Sequence, residues 1–239
     1  MIKNNIPIVI LCGGYGSRLG AEGEKKPKAL IEIGGKPIIF HLIEFFQKQS
    51  FQNIYLATGY KHKSIENFIN KKHLNKNVKV INTGLKTMTG GRVLRLKKYL
   101  NKYDKIIVTY GDGLSNINLE KLINYHNYKK ALSTITAVKP FSNFGELFLD
   151  GNNRVRKMSE KEHLSSRWIN GGFIVFERAI FNFIKNDQEI LEKTPLTRIA
   201  KQKKLFAYKH HGFWKCLDNN KDKIEFNNIM KKKKKIWLK

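Results

Sequence analysis

A glycine-rich loop follows the first apolar run of the sequence and contains residue types that bind phosphate. Its sequence, Leu11-Cys12-Gly13-Gly14-Tyr15-Gly16-Ser17-Arg18-Leu19, comes directly after Ile8-Val9-Ile10. Glycines let the backbone approach phosphate oxygens closely, and an arginine adds a planar fork that can bind phosphate through two hydrogen bonds. The loop is not a Walker loop, because no Gly-Lys-Ser/Thr follows, and Leu19 stands where the dinucleotide fingerprint needs its third glycine.

A basic segment stiffened by proline comes a few residues later. In Lys26-Pro27-Lys28 the proline restricts the backbone, so that a neighbouring lysine can be held at a fixed place. The segment is weak evidence alone in a chain so rich in lysine. Its position behind the glycine loop makes Lys28 a candidate functional residue.

The elements that must position these residues alternate between short apolar runs and longer amphipathic segments. Apolar spacing predicts helices at residues 37–48, 64–70, 91–100 and 119–128, with strands at 8–11, 54–57, 78–81, 106–108 and 133–138. This order predicts an α/β fold with a mostly parallel sheet and helices on both faces. In such a sheet, ligands bind at the carboxyl ends of the strands, where the glycine loop must lie.

The pattern changes after Pro140. Strand-like runs at 146–149, 155–158 and 169–176 are separated by turns, one of which, Asp150-Gly151-Asn152-Asn153, is typical of a hairpin. We therefore expect a small antiparallel extension beside the main sheet. Helices are predicted around 179–185 and 222–230.

The net charge of +27 could indicate a nucleic-acid-binding protein. Only eight of the 46 basic residues are Arg, however, and the lysines are spread along the whole chain. We therefore expect no specific binding of nucleic acid, whereas anionic substrates should be attracted in a salt-dependent way. The five-lysine run at 231–235 is interpreted as a solvated tail.

Other classes of protein are disfavoured by what the sequence lacks. Cys12 and Cys216 are too few for a disulfide scaffold or a structural zinc site. No apolar run reaches the ~20 residues of a membrane span, and the polar start is unlike a signal peptide, so a cytoplasmic protein without membrane partners is expected. No Gly-x-Ser-x-Gly or His-Glu-x-x-His motif points to a hydrolase.

Taken in order, the motifs resemble those of a known family. The glycine loop, Lys-Pro-Lys and residues 33–38 are similar to the start of the sugar-phosphate nucleotidyltransferases. Five later motifs follow in the order seen in glucose-1-phosphate cytidylyltransferases, and the similarity covers about residues 8–229. These motifs are Met88-Thr89-Gly90-Gly91-Arg92, Tyr110-Gly111-Asp112-Gly113, Phe144-Gly145-Glu146-Leu147, Ile169-Asn170-Gly171-Gly172-Phe173 and Gly212-Phe213-Trp214 with Asp218.

The resemblance implies a Rossmann-like domain and a Mg²⁺-dependent transfer of a cytidylyl group from CTP to a sugar 1-phosphate, with glucose 1-phosphate as the first choice. It also implies roles for four residues. Arg18 would bind the departing β- and γ-phosphates, and Lys28 would neutralise the α-phosphate. Asp112 and Asp218 would share the Mg²⁺ ion, a hard cation that prefers carboxylate and phosphate oxygens.

The remaining site residues are also implied by the resemblance. Residues 1–239 would form one domain, with a nucleotide-binding part at about 1–140, an acceptor-binding part at about 141–220, and a C-terminal helix and basic tail at 221–239. The expected nucleotide-binding residues are Leu11, Gly13, Gly14, Gly16, Ser17, Thr89, Gly90, Arg92 and Gly111. The expected acceptor-binding residues are Gly145, Glu160, Lys161, Asn170 and Gly171.

Two departures from the family pattern leave the identity of the acceptor and the oligomeric state open. A homo-oligomer is one of the alternatives for the oligomeric state. The segment between Lys61 and Asn82 is short, and Glu162-His163 follows Lys161 where a proline is usual. Alternatives within the same mechanism use another sugar 1-phosphate, a small phospho-alcohol or another nucleoside triphosphate. A nucleotide-sensing domain and a basic binding module are the non-enzymatic alternatives.

Overall fold

A mostly parallel β-sheet lies at the centre of the computed structural model, which describes residues 5–16, 19–140, 145–159, 167–233 and 235–238. The strands are β1 (Ile8–Cys12), β2 (Glu32–Ile33), β3 (Lys36–Pro37), β4 (Ile54–Thr58), β5 (Val78–Asn82), β6 (Lys105–Tyr110), β7 (Gly113–Ser115), β8 (Ser133–Val138), β9 (Glu146–Leu149), β10 (Val155–Ser159), β11 (Ile169–Asn170), β12 (Ile174–Glu177), β13 (Leu205–His210) and β14 (Trp214–Cys216). The helices are α1 (Gly20–Lys25), α2 (Ile38–Lys48), α3 (His62–Lys71), α4 (Thr89–Arg95), α5 (Lys97–Leu100), α6 (Leu119–Tyr128), α7 (Pro195–Lys201) and α8 (Asn220–Lys233).

The order of strands in the main sheet explains why both of its faces are apolar. The strands β6, β1, β4 and β5 lie side by side and parallel. All residues of β1 and β4 are buried, as expected for a parallel sheet covered on both faces. Ile8 and Ile10 pack in one hydrophobic cluster, whereas Val9 and Leu11 pack in a second cluster. The fold class predicted from the sequence is confirmed.

A bulge interrupts the strand that the sequence predicts at 169–176. Asn170 pairs with Ala137 of β8 and Val175 pairs with Thr134, so the β11–β12 side carries two more residues than the facing β8 segment. Gly172 and Phe173 take positive φ angles of 75° and 48° in the bulge. Because of this turn the fully buried Phe173 enters the core, and β12 lies within the main sheet, antiparallel to β6 and β8. The expected antiparallel extension is therefore limited to the β9–β10 hairpin.

Most predicted helices are present, with two changes. The helix expected at 91–100 is divided into α4 and α5, and the helix expected at 179–185 is a 3-10 turn, Arg178–Asn182. The prediction for 119–128 agrees with α6, whose N-cap Asn118 accepts a hydrogen bond from the backbone N–H of Lys121. No helix in the described parts of the chain is both long and apolar enough to cross a membrane.

The lysine run expected to be a solvated tail at 231–235 is exposed at Lys231 and Lys232, whereas Lys235 and the residues at 236–238 pack against the body. Lys235 pairs with Glu44 of α2, and Trp237 is 1% exposed. The indole of Trp237 contacts the rings of His41 and Phe226. Burial of this large aromatic ring fixes the described end of the chain against the body.

Candidate active site

A cavity of about 770 Å³ opens at the carboxyl ends of β1 and β6. Its wall is formed by residues 11–16, 28–29, 85–89 and 110–112, together with Arg92, Gln188 and Asp218. The structure thus brings together ten residues predicted from the sequence: Leu11, Gly13, Gly14, Gly16, Lys28, Thr89, Arg92, Gly111, Asp112 and Asp218. Four other predicted residues, Ser17, Arg18, Glu160 and Lys161, lie outside the described residues.

Two glycines of the cavity wall allow close approach of backbone segments. Gly16 has a φ angle of +69°, and a Cβ atom there would lie 3.1 Å from Cβ of Lys28. The N–H of Gly111 donates to the carbonyl of Leu11 at 2.9 Å, and a Cβ atom on Gly111 would lie 2.9 Å from Cβ of Cys12. Any side chain at either position would push the glycine loop, the Lys28 segment or the end of β6 apart.

A lysine lies between the two predicted metal-binding carboxylates. The Lys28 ammonium donates to Asp112 Oδ2 at 2.6 Å and to Asp218 Oδ1 at 2.9 Å. The two aspartates meet because β14 pairs with β7, with Cys216 opposite Gly113, and because the N–H of Leu217 donates to the carbonyl of Asp112. This long-range strand pairing is what closes the site.

The chemistry of this cluster fits a hard divalent cation. Ligand atoms of Asp112, Cys216 and Asp218 all lie within 4.8 Å of one another. Burial raises the pKa of the Cys216 thiol, and the two aspartates raise it further; sulfur is also a softer ligand than a hard divalent ion prefers. Burial acts to lower the pKa of Lys28, but its attraction to Asp112 and its hydrogen bonds outweigh this, and the pKa is raised. The two carboxylates, which the Lys28 ammonium contacts in this structure, supply the kind of oxygen ligand that Mg²⁺ prefers.

The start of α8 holds Asp218 in place. One carboxylate oxygen of Asp222 accepts hydrogen bonds from the backbone N–H groups of Asp218 at 2.9 Å and Asn219 at 3.1 Å. Lys215 donates in turn to Asp222 and Glu225. A carboxylate in the first turn of a helix is also favoured by the helix dipole. Asp218 is therefore placed by a local network as well as by the β14–β7 pair.

Arg92 ties together the ends of three neighbouring parallel strands. Its guanidinium donates to the carbonyl oxygens of Gly13, Thr58 and Gly84 and to the hydroxyl of Thr83, at 2.7–3.2 Å. Gly13 directly follows β1, Thr58 is the last residue of β4, and Thr83 and Gly84 directly follow β5. The side chain is only 5% exposed, and burial lowers its pKa from the usual value. Arg92 lines the cavity as expected, but these four bonds also make it a clamp between loops.

Four of the five backbone N–H groups in the Met88–Arg92 motif, those of Met88, Gly90, Gly91 and Arg92, donate to protein carbonyls. The N–H of Met88 donates to the carbonyl of Asp187, and those of Gly90 and Gly91 donate to the carbonyl of Glu189. A Cβ atom on Gly90 would lie 2.7 Å from this Glu189 oxygen. The glycines therefore let the segment at 187–191 cap the start of α4, and the buried Gly90 serves this contact.

Two of the predicted acceptor residues, Asn170 and Gly171, lie next to Tyr110 of the cavity wall but are not among the described residues that line the cavity. Asn170 Oδ1 accepts from the N–H of Gly172 at 2.9 Å, and Asn170 Nδ2 donates to the hydroxyl of Tyr110 at 3.4 Å. The carbonyl of Gly171 accepts from the indole N–H of Trp214 at 2.8 Å. Gly145 is exposed, directly before β9, and within the described residues it is not among those that line the cavity.

Sequence reasoning missed several residues of this site. Tyr110 could have been found, because it is the first residue of the family-like motif Tyr110-Gly111-Asp112-Gly113. Glu192 and Gln188 had no local signal, since they lie in a segment without periodicity that reaches the site only through tertiary packing.

Comparisons with known proteins agree with this geometry. A family model described as Nucleotidyl transferase matches residues 8–232. A probable glucose-1-phosphate cytidylyltransferase of Bacillus subtilis (strain 168) is 34% identical, over 96% of this chain and 98% of the relative. The glucose-1-phosphate cytidylyltransferase of Salmonella typhi is 32% identical, over 96% of this chain and 97% of the relative.

Solved structures show the same fold. The crystal structure of HddC from Yersinia pseudotuberculosis superposes with a TM-score of 0.73 and 25% identity, over 93% of this chain and 98% of that one. The family match begins at β1, which precedes the glycine loop, and ends in α8, whose Asp222 accepts a hydrogen bond from the N–H of Asp218. The match thus spans both the glycine loop and the two carboxylates that meet in the cavity, and this chain belongs to the nucleotidyl transferase family.

Proposed function

We propose that this sugar-phosphate nucleotidyltransferase moves a cytidylyl group from CTP to glucose 1-phosphate, with Mg²⁺, giving CDP-glucose and pyrophosphate. The observation that carries the proposal is the contact of Lys28 with Asp112 and Asp218 in the wall of a cavity large enough for a nucleotide. The choice of CTP and glucose 1-phosphate is supported by the names of two relatives at 34% and 32% identity.

The reaction needs positioning and charge neutralisation more than proton transfer. A phosphate oxygen of the acceptor attacks the α-phosphorus, the bond from that phosphorus to the bridging oxygen breaks, and pyrophosphate leaves with the electron pair. Asp112 and Asp218 would hold a divalent ion, which when bound would offset charge on the phosphate oxygens. Lys28, already fixed at this point, would offset charge at the α-phosphate.

Other residues of the chain would bind and orient the two substrates. The glycine loop would receive the triphosphate. At one end of the loop Arg92 donates to the carbonyl of Gly13, and at the other end Gly16 lies close to Lys28. Arg18 would contact the departing phosphates, and Glu160 with Lys161 would hold the sugar phosphate, as the family resemblance implies. Asn170 and Gly171 would line the acceptor side, next to Tyr110.

The test is the release of pyrophosphate with Mg²⁺, in which four nucleoside triphosphates are crossed with a panel of sugar 1-phosphates and small phospho-alcohols. Release with CTP plus glucose 1-phosphate and no other pair is the expected result. Release with another pair would correct the substrates and keep the mechanism. Absence of release from every pair would overturn the proposed function, provided that the protein is folded and binds a nucleotide.

A further inference from the structure

A carboxylate outside the predicted site links the nucleotide side of the cavity to its acceptor side. Glu192 lies in the segment between the Arg178–Asn182 turn and α7. One of its carboxylate oxygens, Oε2, accepts from the hydroxyl of Thr89 at 2.9 Å, and the other, Oε1, accepts from the hydroxyl of Tyr110. Thr89 begins α4 and Tyr110 ends β6, so one side chain joins two elements of the cavity wall.

The directions of the hydrogen bonds follow from what each group can do. An ionised carboxylate only accepts, so the Tyr110 hydroxyl must donate its hydrogen to Glu192. The phenolic oxygen is then left to accept, and Asn170 Nδ2 donates to it over a long 3.4 Å contact.

The orientation of the Asn170 amide is thereby set from both ends. The backbone N–H of Gly172 can only donate, so Asn170 Oδ1 must face it. The hydroxyl of Tyr110, committed to Glu192, requires the amide nitrogen on its own side. One hydrogen of the Asn170 amide is used in this way, and within the described residues no protein acceptor engages the second.

We infer that Glu192 is a positioning residue, which acts through Tyr110 to present the Asn170 amide as a hydrogen-bond donor to the sugar phosphate. This role rests on the proposed function, because it places the acceptor beside Asn170. Removal of both carboxylate oxygens would leave the Tyr110 hydroxyl without its acceptor and so end the chain of bonds donated from Asn170 to Tyr110 and from Tyr110 to Glu192. Thr89 would keep the N–H of Leu191 as a partner.

The test compares Glu192→Leu and Tyr110→Phe with a matched control on the same segment, Glu189→Leu. The Glu189 carboxylate pairs with Arg198 and touches neither Thr89 nor Tyr110. In Glu192→Leu and Tyr110→Phe the KM for the acceptor should rise about tenfold, the loss of one hydrogen bond, while the KM for the nucleotide changes less than about twofold. The double variant should be no worse than either single variant, because both break one relay.

A second readout does not depend on turnover. The side-chain amide signals of Asn170, assigned by their loss in Asn170→Asp, should shift in Glu192→Leu and Tyr110→Phe and stay in place in Glu189→Leu. An acceptor KM that does not change, or a parallel rise of both KM values, would overturn the inference. If the wild-type protein transfers no nucleotidyl group, the proposed function fails, and an Asn170 signal that stays unshifted in Glu192→Leu would overturn the relay separately.

Discussion

Lys28 Nζ lies 2.6 Å from Asp112 Oδ2, and the same ammonium reaches Asp218 at 2.9 Å. Two carboxylates that converge from distant parts of the chain would repel each other without a cation between them. Lysine neutralises that repulsion within the fold, and its position is the one from which the α-phosphate would be contacted. Lys28, Asp112 and Asp218 therefore form an electrostatically coupled unit.

The variant Lys28→Gln should bind Mn²⁺ in the absence of nucleotide about tenfold more tightly than the wild type, because no ammonium competes for the two carboxylates. Calorimetric titration of the nucleotide-free protein measures this directly. Lys26→Gln is a matched control, since Lys26 lies 3.7 Å from Glu32 on the surface. Equal Mn²⁺ affinity in wild type and Lys28→Gln would show that the ammonium does not compete for the metal site.

The variants Asp112→Asn and Asp218→Asn should each lower Mg²⁺-dependent turnover by about 10³-fold or more, since each removes a charged ligand from the proposed metal site. The fold should survive, because Lys28 keeps its other carboxylate partner. Pyrophosphate release and thermal unfolding measure the two effects. Asp104→Asn, whose side chain is 79% exposed and faces Arg178, serves as control, and unimpaired turnover in either site variant would refute the assignment of the metal ligands.

Replacement of Arg92 by Met should lower the free energy of unfolding by about 3 kcal/mol or more, because buried acceptors on three loops lose their donor. Nucleotide affinity should fall as well, since the loop at Gly13 loses its anchor. Chemical denaturation and nucleotide titration below the unfolding transition check both effects. Arg95→Met is the control, with a side chain that is 46% exposed. If the two variants were equally stable, the clamp would have no energetic role.

The ion pair of Glu189 with Arg198 should make the free energy of unfolding depend on pH in the acid range. Hydrogen bonds from Arg198 lower the pKa of the Glu189 carboxyl below its ordinary value of 4.5. A depressed carboxyl pKa stabilises the fold above the unfolded-state value and loses this contribution as pH falls through the folded-state value. The difference in unfolding free energy between wild type and Glu189→Gln should therefore shrink from pH 6 to pH 3. Urea denaturation at several pH values measures it, and a constant difference would contradict the prediction.

Local sequence patterns predicted the regular elements well and the irregular ones poorly. The strand at 133–138 and the helix at 119–128 were correct because β-branched residues and an Asn cap act locally. The bulge at Gly172 and Phe173 was missed, since an apolar run through 169–176 reads as one strand. The strand β13 and the helix α7 were missed as well, because their apolar residues form runs too short for a period to be recognised.

The same distinction applies to the site. Asp112 follows a strongly apolar strand and could be placed at a strand end from local pattern alone. Asp218 reaches it through the β14–β7 pair, and that contact was foreseen only through the family resemblance. Glu192 was missed, because its partners Thr89 and Tyr110 are distant in sequence and no motif connects them.

The most direct test of the account is the fate of the α-phosphorus. CTP labelled with ³²P at the α-position is incubated with glucose 1-phosphate, Mg²⁺ and the wild-type protein, and the products are separated. The account predicts that the label appears in CDP-glucose while unlabelled pyrophosphate is released. Label that remains in CTP, or that appears in CMP without a sugar nucleotide, would contradict the claim that this chain is a cytidylyltransferase acting on a sugar phosphate.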